Sequence, residues 1–359
     1  MKAALLFLII ALTFHAKQAN AYATYNRLGY ISCTACHFLR TGGGLLTPYG
    51  QSVSAAMAAK SEEVSPNEEH VYHGIQARII EMDSSTRANP FLMQADYLIS
   101  ALATQSVRVD AQVGPNLKRG NSFASLPSGW DRVVLRKGMI SAELNDTHSI
   151  ELGRDAPVSA LNLDDHTALL RQQNRNGLFD YPTQFRYVFQ TEKIQILPYL
   201  MAPSFEEKTE NREYGGGIRS EYLLNNSNSI GATGMLGKSP VISRFALSTF
   251  FRLSEDHWNG IMGEYLFTQM YAEGVSNGFS QQNAYIRPYV AAPEWVESSV
   301  VFEFQKVSEP FSQIKYQYGP EVVFRLHRFV SLIGDGKKLI WENMSNWSWY
   351  GQILLHFQI

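Results

Sequence analysis

The sequence predicts an all-β chain: a transmembrane antiparallel β-barrel of about sixteen strands, or about fourteen on a narrower count, behind a small N-terminal module of helix and loop. Three observations predict it. Apolar and polar residues alternate with period two from residue 74 onward. Short and long connections alternate between the resulting strands. Beyond the N-terminus, no stretch reaches the roughly 18 uninterrupted apolar residues that a membrane helix needs.

Composition narrows the class further. The chain has 359 residues, 45% hydrophobic, 18% charged and 12% aromatic, with 26 Gly and a net charge of −2. At about 150 residues per domain this accommodates two soluble domains, or one large barrel with an appendage. Near-neutral charge argues against a general nucleic-acid binder, which carries a basic surplus. Low charge with many aromatics fits neither a disordered chain nor a long-helix protein. The 2 cysteines are too few for a disulfide scaffold but enough for one dedicated site.

Residues 1–21 read as an export signal. Lys2 supplies the positive end, Ala3 to Phe14 are apolar apart from Thr13, and Ala19-Asn20-Ala21 is a small-x-small cleavage site. The apolar run is too short for an anchor, which needs about 20 residues. The mature chain would begin at Tyr22, outside the cytoplasm.

Residues 22–73 form the first module. They hold a Gly42-Gly43-Gly44 turn, an Ala-rich helical stretch from Gln51 to Lys60 and an acidic connector from Ser61 to Glu69. Residues 74–359 form the barrel. In Thr183 to Gln190, Phe185, Tyr187 and Phe189 share one face while Gln184, Arg186 and Gln190 share the other. Phe245, Leu247, Phe251 and Leu253 likewise oppose Arg244, Ser248 and Arg252. One apolar and one charged face suits a soluble sandwich as well as a barrel, so connection lengths decide.

Short polar turns fall at Asn145-Asp146-Thr147, Thr191-Glu192-Lys193, Asn225-Asn226-Ser227, Ser254 to His257, Pro293-Glu294 and Leu326-His327-Arg328. Longer segments lie between the hairpins: Gly114 to Trp130, Asp155 to Pro182, Ala202 to Arg212, Tyr271 to Ser280 and Gly334 to Asn346, with Gly237 to Pro240 the short exception. Tight periplasmic turns and longer outside loops alternate in this way in outer-membrane barrels. About thirteen strands follow Asp131, and Gly74 to Met82, Phe91 to Ala101 and Gln105 to Val113 bring the count to about sixteen, an even number that leaves both barrel ends on the periplasmic side. The closing segment, Trp347 to Ile359, is alternating and aromatic and resembles the C-terminal assembly signal of such barrels. Trp258, Trp295, Trp347, Trp349 and Tyr350 near strand ends fit interfacial girdles or ordinary sheet packing.

One motif is sharp. Cys33-Thr34-Ala35-Cys36-His37 is a C-x-x-C-H sequence and contains both cysteines of the chain. That spacing is the attachment site of c-type haem: two thiols bond the vinyl groups and the adjacent imidazole reaches the iron. A Cys33–Cys36 disulfide leaves His37 unexplained, a thioredoxin-like motif needs a βαβ setting that is absent, and structural zinc lacks a second Cys pair. Candidates for the sixth iron position are Met57 on the helix, His70 and His73 before the first strand, and Met82. His73 or His70 is expected ahead of Met57, with His356 on the closing strand a remote alternative. A Met ligand would raise the potential relative to a second His.

The module has about 50 residues, a size at which a lone core needs a staple or outside support. Haem is one such staple, and the barrel is another. Alternation turns a mixed-sign set inward (Arg186, Arg219, Glu221, Arg244, Arg252, Glu264, Arg287, Glu303 and Arg325), suited to docking a small polar module or to lining a pore.

An export signal, one C-x-x-C-H motif and a barrel of about sixteen strands together resemble the fused outer-membrane monohaem c-type cytochrome–porin family. CTACH, followed by Thr41-Gly42-Gly43-Gly44-Leu45-Leu46 and Pro48-Tyr49-Gly50, is similar to the haem segment of those proteins. The resemblance implies thioether bonds at Cys33 and Cys36 and His37 as proximal ligand of a single haem c. It also implies an electron-transfer protein rather than a classical enzyme, set in the outer membrane with its haem module in the lumen or on the periplasmic side. Its partners would be membrane lipid, a periplasmic c-type cytochrome and an extracellular metal ion or other redox partner, as in iron oxidation. Three other readings remain at this point: a solute porin with a haem sensor or docking module, a secreted haem-bearing β-sandwich, and a haem enzyme such as a peroxidase.

Overall fold

A computed structural model describes residues 36–37, 45–58, 70–82, 91–115, 133–158, 160–161, 169, 181–203, 212–225, 227–255, 258–273, 278–293, 295–308, 312–327, 330–341 and 344–358. The expected export signal, Cys33, the triple-glycine turn and the acidic connector lie outside these residues.

One helix precedes the sheet among the described residues, α1 (Pro48–Ala56). Its start is specified locally: Thr47 is the N-cap, its hydroxyl accepts from the Gly50 N–H at 3.1 Å, and Pro48 occupies the first turn, where no N–H is needed.

The strands are β1 (Val71–Met82), β2 (Phe91–Leu102), β3 (Val107–Pro115), β4 (Val133–Asn145), β5 (His148–Arg154), β6 (Thr183–Gln190), β7 (Ile194–Ala202) and β8 (Tyr214–Asn225). They continue as β9 (Asn228–Lys238), β10 (Ile242–Ser254), β11 (Asn259–Ala272), β12 (Phe279–Val290), β13 (Val296–Val307), β14 (Gln313–His327), β15 (Val330–Trp341) and β16 (Met344–Gln358). Each pairs antiparallel with its sequence neighbours, and β1 closes on β16 in a register running from Gly74 opposite Gln358 to Met82 opposite Tyr350. Closure leaves no unpaired sheet edge, which is what lets strands cross a membrane.

Sixteen strands form the wall, so the narrower count of fourteen is set aside. A single closed sheet also overturns the sandwich alternative, which needs two packed sheets. Two boundaries differ from expectation. β1 begins at Val71, so the barrel starts before residue 74 and takes in His73. Gly334 to Asn346 is no loop: β15 runs to Trp341 and β16 starts at Met344, paired across the turn. Its Gly and Lys residues resemble loop composition, but ladder pairing outweighs that local preference.

The two faces of the wall have opposite chemistry. Leu200 and Leu236 are each 65% exposed, and Ile140, Leu152, Ile218, Phe302 and Tyr316 are exposed with them. The inner face carries many buried polar and charged side chains beside apolar ones such as Met201 and Met235, and the expected inward arginines and glutamates all lie on it. An apolar outside and polar inside is the pattern of a barrel in lipid, the reverse of a soluble protein. The fold is therefore a membrane-spanning barrel in contact with lipid. The short turns, such as Asn225 to Asn228 and His327 to Val330, mark the end at which β1 begins, the periplasmic end in such barrels.

Candidate functional site

The C-x-x-C-H segment is tied to α1 and then to the wall. The Thr47 N–H donates to the Cys36 carbonyl at 2.9 Å, and His37 bridges Leu46 in antiparallel fashion. Gly50 permits the approach: a Cβ there would stand 2.1 Å from the Cys36 carbonyl oxygen. Cys36 and Leu46 share a buried contact, and His37 is 1% exposed. The neighbouring Leu45 packs with Tyr72 of β1 and Leu98 of β2, both on the inner face. Leu45 therefore docks against the inner face near the end at which β1 begins.

The sixth-ligand candidates separate by face. Met57, the C-cap of α1, is buried. His73 is not in the connector but on the outer face of β1, opposite in parity to Tyr72, with its Nδ1 3.2 Å from the hydroxyl of outward-facing Tyr97. His70 is exposed just before β1. His73, expected ahead of Met57, thus stands on the outer face, because strand parity decides which neighbour of Tyr72 faces the lumen. For Met82 and His356 only backbone register is described; His356 stands opposite Gln76, an inner-face position.

The inner wall is a chain of compensated charges. Arg186 pairs with Asp155 at 2.9 Å and Glu151 at 3.4 Å, and Lys137 reaches Asp155 at 3.2 Å. Arg136 meets Asp96 at 2.8 Å. Arg219 and Arg252 share Glu221 at 2.6 and 3.0 Å and flank the Phe250 ring at 4.9 and 5.7 Å from its centroid. Arg287 and Arg325 share Glu297, each at 2.9 Å, and Arg287 also pairs with Glu321. Alternation foresaw Arg186, Arg219, Glu221, Arg252, Arg287 and Arg325 but not several of their partners, nor the adjacent pair Arg136 and Lys137. Both turn inward because the β3–β4 register skips between Gln112 and Val113, a bulge that places two successive side chains on one face.

Among the described residues of the connection from β5 to β6, expected outside, several lie against the inner face of the wall. Val158 joins a buried cluster with Val188, Leu197, Tyr199, Met201 and Met235. Ala160 and Leu161 join another with Phe250, Met262, Leu266, Tyr285, Tyr289 and Val301 of β10 to β13. The Leu161 N–H donates to Glu264 Oε2 at 3.0 Å, and the Leu169 N–H to Glu303 Oε2. Alternation could not reveal this, since the partners lie on distant strands whose inner faces are locally apolar.

No protein-family model matches the chain, and no curated protein matches it in sequence. Solved structures do. The loop-L8 deletion mutant of OmpT, an outer-membrane protein of Vibrio cholerae, superposes with a TM-score of 0.60 at 8% identity, covering 80% of this chain and 98% of that one. OmpF of Salmonella typhi, solved with daunomycin, gives 0.58 at 9% identity over 80% and 97%. An anion-selective porin from Comamonas acidovorans gives 0.56 at 10% identity over 80% and 98%. At these identities the likeness is one of fold: the chain has the sixteen-stranded porin architecture.

Proposed function

We propose that the protein is an outer-membrane electron conduit carrying one covalent haem c. Cys33 and Cys36 would hold the macrocycle and His37 its iron, with electrons passing between a periplasmic c-type cytochrome and an extracellular metal ion or other redox partner. The observation that carries this reading is the burial of Cys36 and His37 in a segment docked on the lumen face through Leu45, Tyr72 and Leu98. A haem bound there would supply a one-electron redox centre inside the apolar band, about 25 Å tall, that otherwise separates the two sides.

The residues present fit that group. Cys36, His37 and Met57, each buried, supply a thiol, an imidazole and a thioether, the donor types used by c-type cytochromes. Gly50 keeps the Cys36 backbone against the start of α1, orienting the motif. Met57 is the distal ligand in this reading, because His73 faces outward and His70 is exposed. Burial in the wall lowers the dielectric around the centre, and the neighbouring lumen charges tune it.

A reduced-minus-oxidised spectrum of purified outer membranes tests the proposal, with a Cys33→Ala/Cys36→Ala variant as control. A c-type signal that disappears in the variant is expected. Its absence from the native protein would remove the haem and the conduit together. A solute channel is the second reading, favoured by the porin architecture.

A further inference from the structure

We infer that the outer wall of this barrel carries a site for one zwitterionic phospholipid of the periplasmic leaflet, whose acyl chain lies in a furrow along β9. The inference stands on the lipid-facing surface of the wall and does not rest on the haem reading.

A recess of about 760 Å³ opens on the outer face between β7 and β12. Its floor is one row of the ladder, where the small residues Ser220, Ala232 and Thr249 stand side by side on β8, β9 and β10. Ile196 and Tyr265 close the two ends of that row. Nearer the short turns the next outward row is taller, with Tyr222, Ile230 and Phe251 in register. The Phe251 ring leans over β11 and away from β9, since a Cβ at Gly263 would stand 2.7 Å from it. Beyond Ala232, a Cβ at Gly234 would meet nothing within 4 Å, so the depression continues along β9. From Ile230 to Gly234 the strand rises about 13 Å, roughly half of the ~25 Å apolar band. The furrow thus runs up from the periplasmic end, the direction an acyl chain takes from a headgroup on that side.

The recess is continuous with the lipid-contacting face, and its mostly apolar lining offers water few partners. A second copy does not supply the filler. Closed symmetry in a membrane rotates copies about the membrane normal, so each residue meets its partner's surface at its own depth. The protruding Leu200 and Leu236 share a row with Gly216, four residues beyond Ser220 and Ala232, and so pass above the floor.

Charge at the foot of the furrow selects the headgroup. Exposed Trp258 marks the interfacial level there. Lys193, exposed in the turn before β7, accepts at its carbonyl from the Leu223 N–H and so stands beside Ile194 and Tyr222 of the recess. It is a cation for the lipid phosphate. Glu192 and Glu255 are exposed in the same two turns, an acidic surplus that suits a headgroup ammonium and opposes a net anionic lipid.

Native mass spectrometry of the full-length protein, taken from vesicles of equal phosphatidylethanolamine and phosphatidylglycerol, tests the site. Wild type is expected to keep one phosphatidylethanolamine per barrel after the other lipids are stripped. Ala232→Leu/Gly234→Leu fills the furrow and should lower that occupancy about tenfold. Lys193→Gln should lower it less, by loss of the phosphate contact alone. No retained lipid on wild type, full retention on a filled variant with the heat-modifiable mobility of a folded barrel, or equal retention of the two lipids would each overturn the inference. So would a wild-type dimer that the filled variant abolishes, which would give the furrow to a second copy. A phosphatidylethanolamine with a photoactivatable acyl chain needs no variant: labelling concentrated on β8 to β10 is expected, and labelling spread evenly around the wall would overturn the site.

Discussion

Leu161 donates its backbone N–H to Glu264 Oε2 at 3.0 Å, joining residues 103 positions apart across the inside of the barrel. Glu264 also accepts from the Ser248 hydroxyl at 2.7 Å, so one carboxylate unites β10, β11 and the in-folded segment. Glu264→Ala would leave the Leu161 N–H without this acceptor at a cost of about 1–3 kcal/mol, whereas Glu264→Gln keeps an acceptor oxygen and should lose less. Guanidinium unfolding in lipid vesicles would rank the two; equal losses would mean that the bond carries no stability.

Arg287 holds Glu297 and Glu321 together on the inner face. Arg287→Met removes a cation from a site where its partners stay buried, a change expected to cost about 3–5 kcal/mol. Adding Glu297→Gln should recover part of that loss, because one stranded charge is gone while Arg325 loses its own partner. A double-mutant cycle on the unfolding midpoints checks it, and strict additivity would refute the coupling.

Two glycines of β9 should respond oppositely to the same substitution. A Cβ at Gly231 would stand 2.3 Å from the Phe250 ring, while one at Gly234 meets nothing within 4 Å. Gly231→Val should therefore destabilise by about 1–3 kcal/mol through overpacking. Gly234→Val should be neutral or stabilising, since it adds a β-branched residue to an uncrowded position. Heat-modification midpoints on a gel would show the contrast.

The three ligand candidates make a spectroscopic prediction within the proposed function. Met57→Ala should convert the iron from low to high spin, while His70→Ala and His73→Ala leave the spectrum unchanged. A high-spin shift in His73→Ala instead would contradict the outward placement of that side chain on β1 beside Tyr97.

Much of this fold was legible locally. Alternation in β6, β10 and β13 separated the faces, and the turns at Asn145, Asn225 and His327 marked the short-turn end. The misreadings share a cause. Gly334 to Asn346 has loop composition but is held by ladder partners in β14 and β16. His73 reads in sequence as preceding the first strand because that strand begins only two residues earlier, and side-chain parity there is undefined until the start of pairing is known. Arg136 and Lys137 needed the bulge, which is a property of two strands together.

By itself the sequence determined that the strands have two chemically opposite faces, that both cysteines share one C-x-x-C-H motif, and that a barrel of about sixteen strands follows; each is written in spacing along the chain. Only the tertiary structure decided that Val158, Ala160 and Leu161 pack against the inner face of the wall. It also set His73 on the outer wall beside Tyr97. Those outcomes depend on contacts such as Leu161 with Glu264 and Leu45 with Tyr72 and Leu98, between residues that share no local pattern and meet only after the sheet has closed.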